Sequence, residues 1–229
     1  MGKTVGLVIF PGSNCDQDCR RVLTDYYQVE VVSIWHTESE LPSKVDGLVL
    51  PGGFSYGDYL RGGALAAHSP VAGIINDFHR HGGPIIGICN GFQILCELGL
   101  LPGTLLANQS REFICGYSNL TVMAGPSAYQ QELAGKDLLL PVAHGQGRYY
   151  LPETELSRLL DDDLVFAKYT PPKGQSGLQH YNPNGSVGDI AGVTNKEGNI
   201  LGLMPHPERV VSPYLGGDDG LKVWDIFLG

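Results

Sequence analysis

The chain has 229 residues, enough for one domain of ordinary size or at most two very small ones, and 42% of them are hydrophobic, which provides for a sizeable core. Its 15 basic against 24 acidic side chains give a formal charge of −9, which argues against a generic nucleic-acid or anionic-membrane surface. No apolar run approaches the ~18 residues of a membrane span. The five cysteines, Cys15, Cys19, Cys89, Cys96 and Cys115, form neither a disulfide framework nor a paired CxxC zinc motif. With a strand-like start at Thr4 and no signal-peptide layout, they point to a reducing, cytoplasmic compartment. Glycine is the outlier: 32 residues, about 14% against a usual ~7%, with no G-X-Y period, so many tight turns or close backbone approaches are expected.

In chain order, Thr4 to Phe10 reads as a buried strand, followed by a turn over Pro11-Gly12-Ser13-Asn14 that ends in a helix cap. A helix pattern runs from about Asp16 to Tyr26, then strand-like runs occupy Val29 to Trp35 and Gly47 to Leu50. A helix from about Val71 to His81 is closed by Gly82-Gly83. The strand Ile85 to Ile88 leads into a helix over Gly91 to Leu98, stopped by Gly99. Apolar strands alternating with helices predict an α/β fold with a mostly parallel central sheet and helices on both faces. The second half offers short strands at Leu138 to Val142, Leu164 to Tyr169, Ile190 to Val193 and Ile200 to Met204, separated by turn chemistry such as Asn182-Pro183-Asn184-Gly185. These read as hairpins forming a small antiparallel subsheet, and Pro171 to Gly177 reads as a mobile loop. No repeat or long linker divides the chain, so residues 1–229 are taken as one domain.

Three stretches carry chemistry. Gly87-Ile88-Cys89-Asn90-Gly91 stands between a strand and a helix, the cysteine form of a nucleophile elbow, in which small neighbours let strand and helix close around the sulfur. The N-terminal end of that helix favours negative charge on Cys89. Pro205-His206-Pro207-Glu208 follows another strand, and the flanking prolines restrict where the imidazole and the carboxylate project. His206 can then serve as base, with Glu208 orienting it. Pro51-Gly52-Gly53 follows a third strand, where the Gly53 N–H and the N–H of Asn90 can face a developing oxyanion. Taken singly, each stretch also fits a purely structural turn. Loops after parallel strands gather at one sheet edge, which brings the three together.

These residues resemble the class I, triad-type glutamine amidotransferases. The resemblance is carried by Pro11-Gly12-Ser13-Asn14-Cys15-Asp16, Pro51 to Gly63, Gly87 to Gln93, Pro141 to Gly145, Asn184-Gly185-Ser186, Ile190 to Val193 and Met204 to Arg209. Gly-Phe-Ser-Tyr-Gly-Asp-Tyr-Leu-Arg is the stretch most specific to the purine-pathway branch. The resemblance implies a flavodoxin-like fold in which Cys89 attacks the side-chain amide of glutamine, His206 shuttles protons and Glu208 holds it. Gly53 and Asn90 would form the oxyanion hole, Gln93 would help bind glutamine, and a γ-glutamyl thioester would be hydrolysed to glutamate. Ammonia would pass to a large synthetase subunit, with a small bridging subunit completing the assembly. That partner would convert formylglycinamide ribonucleotide to formylglycinamidine ribonucleotide with ATP and Mg. No cofactor or metal is expected on this chain, which has no GxxxxGK[ST] loop, since Gly135-Lys136 is followed by Asp137. Ser55 to Gly63 and Tyr181 to Ser186 are expected either as docking or channel surfaces or as turns packed on their own domain. The competing readings are a stand-alone cysteine hydrolase on the same scaffold and a non-catalytic subunit that keeps the fold.

Overall fold

A computed structural model describes residues 2–175 and 180–229, so residues 176 and 177 of the expected 171–177 loop lie outside the described residues. The first strand, β1 (Thr4–Ile9), is followed by helix α1 (Asp16–Arg21), which runs on through a wider π turn over Val22–Tyr26. The helix expected from 16 to 26 is therefore present. Its cap is not the one expected. Cys15 occupies the N-cap position without a side-chain cap, Asn14 is exposed, and the Ser13 hydroxyl accepts from the Phe10 N–H at 3.1 Å instead. The turn serves a different need: it folds back so that the Cys15 N–H reaches the Gly52 carbonyl at 3.2 Å.

Next come β2 (Glu30–Trp35), β3 (Gly47–Leu50), helix α2 (Val71–Arg80), β4 (Ile85–Ile88) and helix α3 (Asn90–Glu97). Helix α2 buries Val71, Ala72, Ile74 and Ile75 along one face and ends where Gly82 takes a positive φ. The second half holds β5 (Thr104–Leu106), β6 (Ile114–Val122), helix α4 (Ala128–Leu133), β7 (Asp137–His144) and β8 (Arg148–Tyr150). It continues with helix α5 (Glu153–Asp161), β9 (Val165–Tyr169), β10 (Ile190–Thr194), β11 (Ile200–Leu203) and helix α6 (Asp219–Leu228).

The main sheet has nine strands in the order β2-β1-β3-β4-β11-β10-β9-β6-β7. From β2 to β11 every pairing is parallel; β10, β9, β6 and β7 then join antiparallel. A separate two-stranded antiparallel sheet, β5 with β8, is the small subsheet, and the antiparallel strands also extend the main sheet further than the sequence suggests. All residues of β3, β4 and β11 are buried. Because successive side chains point to opposite faces, both faces are covered there. The core runs from Val5 to Trp224, with the Phe92 and Tyr149 rings stacked 5.8 Å apart. All five cysteines are free thiols, and among the described residues no helix is long and apolar enough to cross a membrane.

Of the two expected surface stretches, Tyr181 to Ser186 packs on its own domain: Asn184 and Ser186 are buried, and the Asn182 amide donates to the Ser186 carbonyl at 3.0 Å. Ser55 to Gly63 instead lifts Tyr59 and Leu60 into solvent.

Candidate active site

Four neighbouring parallel strands, β1, β3, β4 and β11, end on the same edge of the sheet, and the segment after each contributes to one small site. Cys89 follows β4 and sits at φ 52°, ψ −104°, a conformation that L residues rarely adopt. It is held there from both sides. Its N–H donates to the Leu203 carbonyl of β11 at 2.7 Å, and helix α3 starts at once behind it. The close fit depends on Gly91, where a methyl group would overlap the Leu50 carbonyl oxygen. The thiol itself is buried, with Sγ 3.9 Å from the Ala143 carbonyl of β7.

His206 comes from the segment after β11, where its N–H donates to the Pro141 carbonyl at 2.8 Å and Pro207 opens a short turn, Pro207–Arg209. That turn brings Glu208 back onto the ring, with His206 Nδ1 2.6 Å from Glu208 Oε1 and both side chains buried. Burial alone would lower the His206 pKa. The charges of Glu208 and Cys89, with the contacts to Cys15 and Cys89, outweigh it and hold the imidazole well above its ordinary range. Nε2 is buried without a hydrogen-bond partner among the described residues. No hydrogen bond joins it to Cys89 here, which is the looser geometry usual before substrate is bound. The two side chains nonetheless meet across Gly52, where a methyl group would stand 2.8 Å from His206 Cε1 and 3.4 Å from Cys89 Cβ.

After β3, Gly53 takes φ 145°, and a side chain there would press on the Asn14 nitrogen at 2.6 Å. Glycine is required on both counts. Neither the Gly53 N–H nor the Asn90 N–H has an acceptor within the protein among the described residues. For Asn90 this follows from its place in the first helical turn. Gln93 lies one turn into α3. Its amide is engaged inside the protein: the oxygen accepts from Asn90 Nδ2 at 2.7 Å, and Nε2 donates to the Gln146 carbonyl at 2.7 Å.

A cavity of about 260 Å³ opens beside Cys89 and His206, lined by Asn14, Cys15, Gly53, Phe54, Cys89, Phe113, Ala143, His206 and Arg209; Asn90, Gln93 and Glu208 stand behind this lining. It is smaller than the ~300–1,000 Å³ of sites for drug-sized ligands, which suits a molecule of amino-acid size. Sequence reasoning missed Cys15 and Arg209 as members of the site, although both lie in the motifs singled out. Arg209 Nη2 donates to Cys15 Sγ at 3.0 Å, and Cys15 Sγ lies 4.0 Å from His206 Nδ1. Phe113 carried no signal, and Ala143, although inside the Pro141 to Gly145 stretch, was given no role, since only the antiparallel half of the sheet brings the two here. Cys15, His206 and Glu208 offer donor atoms within 4.8 Å of one another, but the Arg209 guanidinium already occupies the cationic position beside them. A thiol nucleophile, a buried imidazole held by a carboxylate, and two unengaged N–H groups form the equipment for acyl transfer from an amide or ester.

Comparison with known proteins agrees. A family model described as a CobB/CobQ-like glutamine amidotransferase domain matches residues 3–216. The PurQ subunit of phosphoribosylformylglycinamidine synthase from Aquifex aeolicus is 51% identical over 217 residues, covering 94% of this chain and 95% of that protein. The PurQ subunit from Salinibacter ruber is 47% identical over 229 residues, covering 100% and 97%. Among solved structures, PurLQS from Thermotoga maritima contains a chain that superposes with a TM-score of 0.84 at 39% identity, covering 100% of this chain and 98% of that one. The chain belongs to the glutamine amidotransferase family, in its group of phosphoribosylformylglycinamidine synthase PurQ subunits.

Proposed function

We propose that this chain hydrolyses L-glutamine to glutamate and ammonia for a synthetase partner. The observation that carries the reading is that Cys89, Gly53 and His206, the last paired with Glu208, line one amino-acid-sized cavity, with Asn90 following Cys89 directly in the chain. The Cys89 sulfur gives its proton to His206 and attacks the side-chain carbonyl carbon of glutamine, and the oxygen takes up negative charge facing the two N–H groups. His206 gives its proton to the departing nitrogen, and ammonia leaves a γ-glutamyl thioester on Cys89. Water then attacks the thioester, His206 takes the water's proton, and the sulfur departs to release glutamate. Glu208 holds the ring throughout and stabilises the imidazolium. Gln93 helps bind glutamine, as the resemblance implies, while its amide is held by Asn90 and the Gln146 carbonyl.

Ammonia released into water would be mostly protonated and lost as a nucleophile, so it passes directly to a partner. The partner that fits the resemblance is a large synthetase subunit, joined by a small bridging subunit, that uses ATP and magnesium to convert formylglycinamide ribonucleotide to formylglycinamidine ribonucleotide. The chain needs no cofactor of its own, works as one unit over 1–229, and operates in the cytoplasm, where its free thiols stay reduced. The test is Cys89→Ser in the assembled complex. Glutamine-driven synthesis and glutamate release should be abolished while ammonia-driven synthesis survives. Persistent glutamate release by Cys89→Ser would overturn the mechanism.

A further inference from the structure

Asn90 does more than follow the nucleophile: its side chain is wholly buried and bonded on three sides. Its Oδ1 accepts from the Ser55 N–H at 3.0 Å, and its Nδ2 donates to Gln93 Oε1 at 2.7 Å and to Asp58 Oδ1 at 3.2 Å. Two of these three partners belong to the segment after β3. That segment also grips the far end of α3, where Arg61 pairs with Glu97 through two contacts of 2.6 Å, and its Gly62 N–H reaches Gln146 Oε1 at 3.0 Å.

The segment takes this shape at a cost. Tyr56, Asp58 and Leu60 all have positive φ, at 52°, 53° and 72°. Leu60 is 86% exposed, so burial of its own side chain does not repay its strain. Asp58 is half buried, and burial raises its carboxyl to about 6, a further cost. What places Asp58 itself at this cost is its contact with Asn90.

We propose that Asp58 is a positioning residue for glutamine hydrolysis: through the Asn90 side chain it fixes the Cys89–Asn90 peptide, whose N–H faces the oxyanion. The inference rests on the proposed hydrolysis, in which the Asn90 N–H is an oxyanion donor. Loss of a whole donor of this kind costs about 10²- to 10³-fold in kcat, so partial misplacement should cost about tenfold or more.

The test measures glutamate release in the assembled complex. Asp58→Ala should lower kcat about tenfold or more with KM for glutamine changed less than about twofold. Asp58→Asn should restore kcat to within about threefold, because an amide oxygen accepts the same hydrogen bond from Asn90. Alkylation of Cys89 by iodoacetamide, followed on its own peptide, should keep its rate in both variants, since displacement of iodide forms no oxyanion. Ammonia-driven synthesis should also be retained. Unchanged kcat in Asp58→Ala would overturn the proposal, as would equal losses in the Ala and Asn variants. So would a parallel loss of alkylation or of ammonia-driven synthesis, which would assign Asp58 to general folding or to docking. Glutamate release by Cys89→Ser would instead refute the hydrolysis mechanism itself, whatever Asp58 does.

Discussion

Gly52 lies between three reactive side chains, and adding one methyl group there should disable the enzyme while leaving it folded. The new carbon would stand 2.8 Å from His206 Cε1, 3.2 Å from Cys15 Sγ and 3.4 Å from Cys89 Cβ. Carbon atoms make ordinary contact from about 3.5 Å, so the imidazole must retreat by about 0.7 Å or more. It has little room, because its other side is held by Glu208 at 2.6 Å in a fully buried pair. Overpacking of this kind costs about 1–3 kcal/mol, which a chain of this size tolerates. A displacement approaching 1 Å in a catalytic group costs about 10²-fold, so Gly52→Ala should lower kcat about 10- to 100-fold, with a smaller change in KM for glutamine. Glutamate release by the assembled complex gives the kinetic constants, and urea unfolding of the isolated chain gives the stability. A kcat within twofold of the parent would refute the reasoning, because it would mean that His206 and Cys89 do not work across residue 52.

Glu208→Gln keeps the size of the side chain and removes the charge that chiefly holds up the His206 pKa, so the imidazolium should release its proton at lower pH and kcat should fall about 100-fold or more. An unchanged imidazole titration by NMR would contradict this. The same pair stabilises the fold most fully below the unfolded imidazole pKa and loses that contribution as pH rises through the raised folded value, so the stability deficit of Glu208→Gln should shrink at alkaline pH. His144 behaves in the opposite sense: burial, and then the His206 charge, lower it to about 4. Between pH ~6.5 and ~4 residue 144 therefore binds less proton in the folded chain than in the unfolded one, and its contribution to stability should fall with acidification by up to ~3 kcal/mol. Urea unfolding across that range should show a shallower acid slope for His144→Asn, and equal slopes would contradict the assignment. Gly91→Ala should cost about 4 kcal/mol or more, a drop of about 10 °C in Tm, because the added methyl group overlaps the Leu50 carbonyl. A Tm within 3 °C of the parent would show that the elbow can open.

The parallel half of the sheet and the nucleophile elbow were legible because they leave local marks. Continuous apolar runs such as Ile85 to Ile88 signal strands buried on both faces, and the glycines around Cys89 signal a turn that only small residues allow. Strand β6 was not legible. Its first half is exposed or partly exposed, and Gly116-Tyr117-Ser118-Asn119 reads as a turn until pairing with β7 and β9 overrides that local preference. Helices α5 and α6 were passed over too, although α5 sets Leu156, Leu159 and Leu160 at helical spacing; of these only Leu159 is fully buried, among charged neighbours. The helix cap went to Cys15 and not Asn14 because the Gly52 carbonyl, remote in sequence, claims the Cys15 N–H. In the site, Cys89, His206 and Glu208 were found from their own surroundings. Cys15 against His206 and Asn90 against Asp58 are contacts between distant segments, which no local pattern records.

Strand β7 forms one border of the main sheet, with β6 as its only strand neighbour among the described residues. An unpaired border is a hazard, since its free N–H and C=O groups invite another chain to add a strand. Here the outward groups are taken up by pieces of the site and its surroundings. The Asp219 carboxylate accepts from the Leu139 N–H at 2.8 Å, and Pro141 has no N–H to offer. The Pro141 carbonyl receives the His206 N–H, and the Ala143 carbonyl faces the Cys89 thiol. The segment that delivers the base thus also seals the sheet against self-association. Solubility and glutamine hydrolysis therefore depend on the same few residues, and damage to the 205–209 turn would be felt both as lost turnover and as aggregation.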